Sequence, residues 1–224
     1  MIYFHLPRSI LQMHRLASTD GNRENIQKIQ VRFDESCATN GHHLILLKHR
    51  IDAVDKKLER ALFPDELNPI VSQSNQRTSE YQHELFISGK SDLFIPGDVA
   101  KQVLKGSKKH TQFVFRFDTA FSATIYTRDH KSLKIISQSS FRWDTQDFPD
   151  YAQVIPKDIQ KSVTTFGLSL SLINDFYGYV KAINGNSGAE FNIFPAIKDA
   201  LSPLKAIVQT DDGELTWVLM PVKC

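Results

Sequence analysis

Apolar positions along the chain change period several times, and the changes mark its elements. A short apolar stretch at residues 2–5 reads as a strand, after which Ile10, Leu11, His14 and Leu16 fall at i, i+1, i+4 and i+6, the spacing of a short amphipathic helix. Asp20, Gly21 and Asn22 stop it. Residues 26–33 alternate, with Ile29, Val31 and Phe33 on one face, and the apolar run 44–47 gives another strand after the Thr39-Asn40-Gly41 turn.

The same order returns twice. A short strand at 93–95 leads through a Pro-Gly start into a helix over 98–105 that ends near Gly106. Phe113, Phe115 and Phe117 then alternate with Val114, Arg116 and Asp118, and residues 123–127 and 132–137 follow as strands around an Arg128-Asp129 turn. A third instance starts near Val163, where residues 166–168 precede a helix carrying Leu172, Ile173, Phe176, Val180 and Ile183. Residues 190–194, 206–209 and 216–221 serve as its strands, with Asp211-Asp212-Gly213 as a hairpin turn. Three helix-plus-sheet units of this kind predict an α+β chain with a shared sheet.

Residues from about 53 to 91 break the rhythm. Residues 52–62 suit a charged helix, while 68–82 are polar, rich in Ser, Gln and Asn and poor in large apolar side chains, and read as an inserted surface loop. Two roles fit it: a partner-binding or regulatory arm, or a tolerated insertion with no role of its own.

Composition narrows the function only a little. The 224 residues are 41% hydrophobic and 23% charged, enough chain for one good core or two small ones, and the net charge of +2 is too small to imply a nucleic-acid partner without local clustering. Cys37 and Cys224 make no disulfide framework and have no partners at zinc-ligand spacing, so they read as reduced thiols. The first residues are interrupted by Arg8 and Arg15, and no apolar run approaches a membrane span; a cytoplasmic protein with no membrane contact is expected.

At residues 148–156 the sequence reads Phe-Pro-Asp-Tyr-Ala-Gln-Val-Ile-Pro, which resembles the FPDYxxVxP signature closing the middle domain of the bacterial β sliding clamp. Ala38-Thr39-Asn40-Gly41-His42-His43-Leu44 resembles the ATDGHRL turn and strand of that family, and Val218-Leu219-Met220-Pro221-Val222-Lys223 is similar to its terminal VxMPMR. The three motifs occur in clamp order, and Phe94-Ile95-Pro96 followed by a helix lies between the first two, where the clamp has its own such strand and helix. The resemblance implies about one and a half clamp domains: a clamp-type domain over 1–157, with the inserted loop, and a half-domain over 158–224. It departs from the family at Asn40 and His43, which replace Asp and Arg, at Ala152-Gln153, which replaces a basic pair, and at Cys224, where Leu is usual. With room for half a full clamp subunit's three domains, ring closure is not implied by length.

What the resemblance implies for function is a pocket for short linear peptides of polymerases and repair proteins. Leu44, Val154, Val218, Met220, Pro221 and Val222 would form its apolar floor, and His42, His43, Tyr151 and Gln153 its polar rim, with Thr39, Gly41 and Pro149 shaping the turn and loop. For double-stranded DNA, held non-specifically, the candidates are Arg8 and Arg15 on the first helix and Lys101, Lys105, Lys108 and Lys109 on and after the second. The same cations also fit a merely solvated face. A homo-oligomer is expected, because a lone half-domain leaves a sheet edge unpaired and an apolar helix face uncovered. The rival reading is a nucleic-acid-binding regulator that keeps the clamp fold and lacks peptide docking.

Enzymatic readings assemble poorly. Gly89-Lys90-Ser91 lacks the first glycine of a phosphate-binding loop, since Glu84 stands there, and His42-His43 in extended backbone point to opposite faces, which disfavours joint metal ligation. Cys37 near His42 has neither an oxyanion site nor an orienting third group. No catalysis, metal or cofactor is expected.

Overall fold

The computed structural model describes residues 2–54, 73–108, 110–144, 148–155, 169–184, 192–195 and 203–220. In the first unit, β1 (Phe4–Leu6) leads into α1 (Arg8–Gln12) and a 3-10 turn, Met13–Arg15. Strands β2 (Lys28–Val31), β3 (Glu35–Thr39) and β4 (His43–Lys48) follow. Next comes α2 (Gln73–Ile87), then the second unit: β5 (Leu93–Pro96), α3 (Gly97–Lys105), β6 (Thr111–Thr119), β7 (Ser122–Asp129) and β8 (Ile135–Arg142). The last described unit is α4 (Leu170–Asn184), β9 (Asn192–Pro195), β10 (Leu204–Thr210) and β11 (Gly213–Leu219).

These strands form two antiparallel sheets, ordered β1-β6-β7-β8 and β5-β2-β3-β4-β11-β10-β9. The first two units exchange their opening strands: β1 pairs with β6 of the second, and β5 pairs with β2 of the first. Neither unit therefore has a complete sheet of its own. The third unit extends the larger sheet where β11 pairs with β4. The α+β pattern of helix-plus-antiparallel-sheet units expected from the sequence is the one observed.

Side-chain alternation sets what each face of the seven-stranded sheet meets. Ile29, Val31, Ile45, Leu47, Leu215, Trp217 and Leu219 join the main core, where α1, the 3-10 turn and α4 supply Ile10, Leu11, Met13, Leu16, Phe176 and Tyr179. Phe176 lies flat on Trp217, with ring centroids 4.3 Å apart, and the Tyr179 hydroxyl donates to the Ser9 carbonyl at 3.3 Å, tying α4 to α1. Helix α3 contacts α1 and adds Ala100 and Val103 to the same core. The opposite face presents Cys37, Leu44, Leu46 and Val218, which pack with Tyr151 in a cluster of their own.

Three differences from the sequence reading have physical causes. The stretch read as a polar inserted loop contains α2, which is kept in place by one narrow stripe: Phe86 packs on Phe4, Phe115 and Phe117 at 5.4–5.8 Å between ring centroids, and the His83 ring packs on Phe4 and Phe117. Two ring positions one turn apart dock a helix whose described side chains are otherwise mostly exposed. Strand β3 was not anticipated, because Glu-Ser-Cys-Ala-Thr offers small side chains in place of an apolar alternation; it is defined by its ladders to β2 and β4. Strand β8 begins later than expected because the turn is made at 130–132, where the Asp129 carboxylate accepts from the backbone of Lys131 and Ser132. The helix expected over 52–62 and the strand over 166–168 lie wholly or mostly outside the described residues.

The hairpin turn at Asp211-Asp212-Gly213 joins β10 to β11 as read. Gly213 has φ +140°, and a Cβ there would stand 1.9 Å from the Lys48 carbonyl oxygen. Only glycine lets β11 approach the end of β4 this closely.

Candidate functional site

The turn between β3 and β4 is fixed by its own side chains. Asn40 Oδ1 accepts from the backbone N–H of His42 at 3.0 Å and of His43 at 3.1 Å. Thr39 Oγ1 donates to the His43 carbonyl at 2.6 Å and accepts from Gly41 N–H at 3.0 Å. Gly41 has φ +88° beneath the Arg23 side chain, a conformation that side-chain-bearing residues rarely adopt. Asn40 thus meets the turn's needs where the resembled family has Asp.

The chain's tail lies directly against this turn. Val218 pairs with Leu44, Leu219 with His43, and the Met220 N–H donates to the His42 carbonyl at 3.0 Å. The loop over 148–155 comes in from above: Asp150 caps a 3-10 turn, Tyr151–Gln153, by accepting from Ala152 N–H, and Gln153 Nε2 donates to the same carboxylate at 2.9 Å. Tyr151 then packs on Leu44, Leu46, Val218 and Cys37, with Phe148 and Ile155 beside it. Turn, loop and tail therefore converge on one face of the seven-stranded sheet.

Within this convergence the expected roles divide. Val154, 37% exposed, and Met220, 38% exposed, are apolar side chains that reach solvent, and His42, Pro149 and Gln153 are exposed as well. Leu44 and Val218, expected as an open floor, are instead buried against the chain's own Tyr151, and Tyr151, expected at the polar rim, is itself buried because its ring packs into this apolar cluster. His43 departs from its expected place at the rim: it is 2% exposed, and strand alternation puts it with Ile45 and Leu47 on the helix side of the sheet. Burial there pushes its imidazole down to about 4, against the opposing pull of Asp175 on α4. Pro221 and Val222 lie outside the described residues.

A polar network that the sequence did not suggest holds Tyr151. Its hydroxyl donates to Glu35 and accepts from Arg32 Nη1 at 2.8 Å. The same Arg32 nitrogen donates to Glu35 at 3.0 Å, Nε donates to Asp92 at 3.2 Å, and Gln30 also donates to Asp92. Burial, then the hydrogen bond to Glu35, raises the phenol well above its usual range, so it remains a donor.

No protein-family model matches the sequence, and no curated protein matches it. Among solved structures it is similar to the C. crescentus β sliding clamp, with a TM-score of 0.58, 12% identity, and coverage of 99% of this chain and 66% of that one. It is also similar to A. fulgidus PCNA, solved with the C-terminal region of FEN-1 bound, with a TM-score of 0.52, 7% identity, and coverage of 100% of this chain and 99% of that one. The chain has a sliding-clamp fold.

In this clamp fold the cationic residues lie on the helix side, across the sheet from the notch. Helices α1 and α3 are in contact; Arg8 donates to the Lys108 carbonyl at 3.0 Å, and Arg15 and Lys101 line a cleft of about 720 Å³. Arg15, Lys101, Lys105 and Lys108 are exposed. Arg8 is partly buried over the Phe113 ring and is less free to reach a phosphate. Burial lowers the His14 pKa, and Arg15 and Lys101 depress it further. Lys28 and Arg142 also line this cleft and were not among the expected cations, since Lys28 comes from β2 and Arg142 from the end of β8. Lys109 lies outside the described residues. Among the described residues no group of His, Cys, Asp and Glu could hold a metal ion, and no helix is long and apolar enough to cross a membrane.

Proposed function

We propose that this chain is a non-catalytic accessory protein of DNA replication or repair, of the bacterial β-clamp type, that captures short linear peptides of polymerases or repair proteins in the notch around Tyr151. The single observation that carries the reading is the convergence of turn, loop and tail on one sheet face around Tyr151, with Val154 of the loop and Met220 of the tail open to solvent. An extended apolar segment fits such a surface, and methionine adapts to different side chains. The A. fulgidus PCNA neighbour, which carries the C-terminal region of FEN-1, supports a peptide as the occupant.

Contact with double-stranded DNA in the cytoplasm goes with this reading. The exposed cations of the 3-10 turn and of α3 and its exit, Arg15, Lys101, Lys105 and Lys108, would hold phosphates without reading bases, so affinity would be weak and strongly salt-dependent. A homo-oligomer would complete the arrangement, since β8 and β9 each end a sheet among the described residues and Ile136 on β8 is 56% exposed. The chain spans 66% of the length of the C. crescentus clamp, so a ring of these chains would need its own subunit count.

Fluorescence polarisation with a labelled clamp-binding pentapeptide tests the notch. Micromolar binding that Met220→Ala weakens several-fold is the expected result, and binding unchanged by both Met220→Ala and Tyr151→Ala would overturn the assignment. Light scattering after size-exclusion chromatography tests the oligomer, which a strict monomer at tens of micromolar would remove. One observation favours the second reading, a nucleic-acid-binding regulator: Leu44 and Val218 are already covered by the chain's own Tyr151. That reading gains if the chain takes no peptide and binds linear and nicked circular DNA alike, with a steep loss of affinity as salt rises.

A further inference from the structure

Tyr151 is the residue through which the loop meets both the turn and the tail, yet the groups that hold its hydroxyl belong to none of the three stretches. Among the described residues, the backbone hydrogen bonds of 148–155 are all internal to the loop: Val154 and Ile155 donate to the Tyr151 carbonyl, and Ala152 to its cap. What binds the loop to the sheet is the apolar contact of Phe148, Tyr151 and Ile155 together with the hydroxyl's bonds to Arg32 and Glu35.

We propose that Arg32, gripped between Asp92 and Glu35 beside the β2–β3 turn, is the positioning residue of the notch: it fixes the Tyr151 ring and thereby sets the affinity for an extended apolar peptide. The proposal rests on the peptide-docking reading above. Three features support it. The guanidinium serves Asp92 through Nε and both Glu35 and Tyr151 through Nη1, a set of directions that a planar fork provides and an ammonium does not. The same group lies over the Tyr151 ring, 5.4 Å from its centroid, so it restrains both the hydroxyl and the ring plane. Gln30 holds Asp92 in turn, which anchors the network to β2 and to the start of β5 and keeps it independent of the loop.

A plain surface ion pair would contribute little beyond general stability. A positioning role differs from that in two measurable ways, because the buried thiol of Cys37 lies under Tyr151 and reports when the loop lifts. In a Cys224→Ser background, Cys37 is the sole thiol. Burial and Glu35 raise its pKa while Arg32 lowers it, so losing Arg32 alone would slow thiol chemistry; acceleration must come from opening.

The experiment follows native labelling of Cys37 by Ellman's reagent, together with fluorescence polarisation of two labelled probes, a bacterial clamp-binding pentapeptide and the FEN-1 C-terminal peptide. Arg32→Ala should label about tenfold faster and bind peptide about tenfold more weakly, as expected for lost charge-assisted hydrogen bonds, with the melting temperature lowered by no more than about 5 °C. Arg32→Lys should fall between. Tyr151→Phe should lose comparable peptide affinity, and the Arg32→Ala/Tyr151→Phe double variant should lose no more than the worse single one. Wild-type labelling and peptide affinity in Arg32→Ala, or losses that multiply in the double variant, would overturn the proposal. If Arg32→Ala does not fold, Glu35→Gln replaces it, with the same direction expected. Should the wild-type chain take neither peptide, the docking reading fails, and the labelling ratio alone decides whether Arg32 holds the loop: a ratio of one removes the clasp as well.

Discussion

On the helix side of the seven-stranded sheet, Ile29, Val31, Ile45, Leu47, Leu215 and Trp217 are sealed by α1 and α4; on the other side, Cys37, Leu44, Leu46 and Val218 are covered by one loop. The first cover is two elements with interlocking apolar side chains. The second is an aromatic ring, two apolar neighbours and a polar clasp, with exposed apolar residues at its margin. A face sealed by helices can supply stability, whereas one sealed by a short loop has apolar surface left to offer a partner. The difference places most of the folding energy on the helix side, and under the proposed peptide-docking reading it leaves the loop-covered side for recognition.

Truncation of the helix side should produce the largest effect. Trp217→Ala removes the ring on which Phe176 lies flat and opens a void between β11 and α4, at a cost of about 3–5 kcal/mol by analogy with other buried aromatic truncations. Urea unfolding would read this as a lower midpoint at constant slope. A loss below about 1 kcal/mol would mean that α4 repacks, and the contrast between the faces would weaken.

Acid tests the same side through His43. Its folded-state pKa of about 4 lies below the ordinary 6.5, so the unfolded chain binds the proton more readily in between. The stabilisation that follows from keeping His43 neutral is whole above about pH 6.5 and fades as pH falls toward 4, amounting to about 2 kcal/mol lost at pH 5. Asp175 opposes burial and His42 adds to it. His49 is lowered to about 4 as well and adds a similar slope, so His43→Leu should remove about half of the pH dependence between about 5 and 6.5. A variant with the full wild-type slope would show that His43 is not held neutral by the sheet.

How much of this was legible in the sequence follows the same division. Alternation at Phe113, Phe115 and Phe117, helical spacing from Leu172 to Val180, and the Asp-Asp-Gly turn are local patterns, and each marks an observed element. Strand β3 escaped because its inward positions are Ser36 and Ala38, too small to stand out, and α2 because Phe86 and His83 are nearly all of its apolar face. The turn, loop and tail motifs were visible one by one, and the pairing of Val218 with Leu44 brings two of them together. The clasp was invisible for a different reason. Arg32 and Tyr151 stand 119 positions apart, and nothing in either neighbourhood signals the other. The side taken by His43, by contrast, was readable: once Leu44 is given to the notch, strand parity sends its neighbour to the helices.

Asn40 should show a smaller effect, confined to the recognition side. Its Oδ1 accepts two backbone N–H groups in the β3–β4 turn, and Asn40→Ala leaves both to water, at a cost of about 1 kcal/mol. Asn40→Asp keeps the acceptor and should cost almost nothing in stability, which differential scanning calorimetry would resolve.

The smallest change in stability and the sharpest test of the division come from Val154 and Met220. Both are more than a third exposed, so alanine at either should move folding by no more than about 0.5 kcal/mol. If the notch is a recognition surface, the same substitutions should weaken a clamp-binding pentapeptide several-fold while leaving any salt-dependent DNA binding as it was, because the exposed cations of the 3-10 turn and α3 lie on the helix side of the sheet. Parallel loss of peptide and DNA binding would mean that the two faces are not separate, and the comparison would have to be redrawn around a single site.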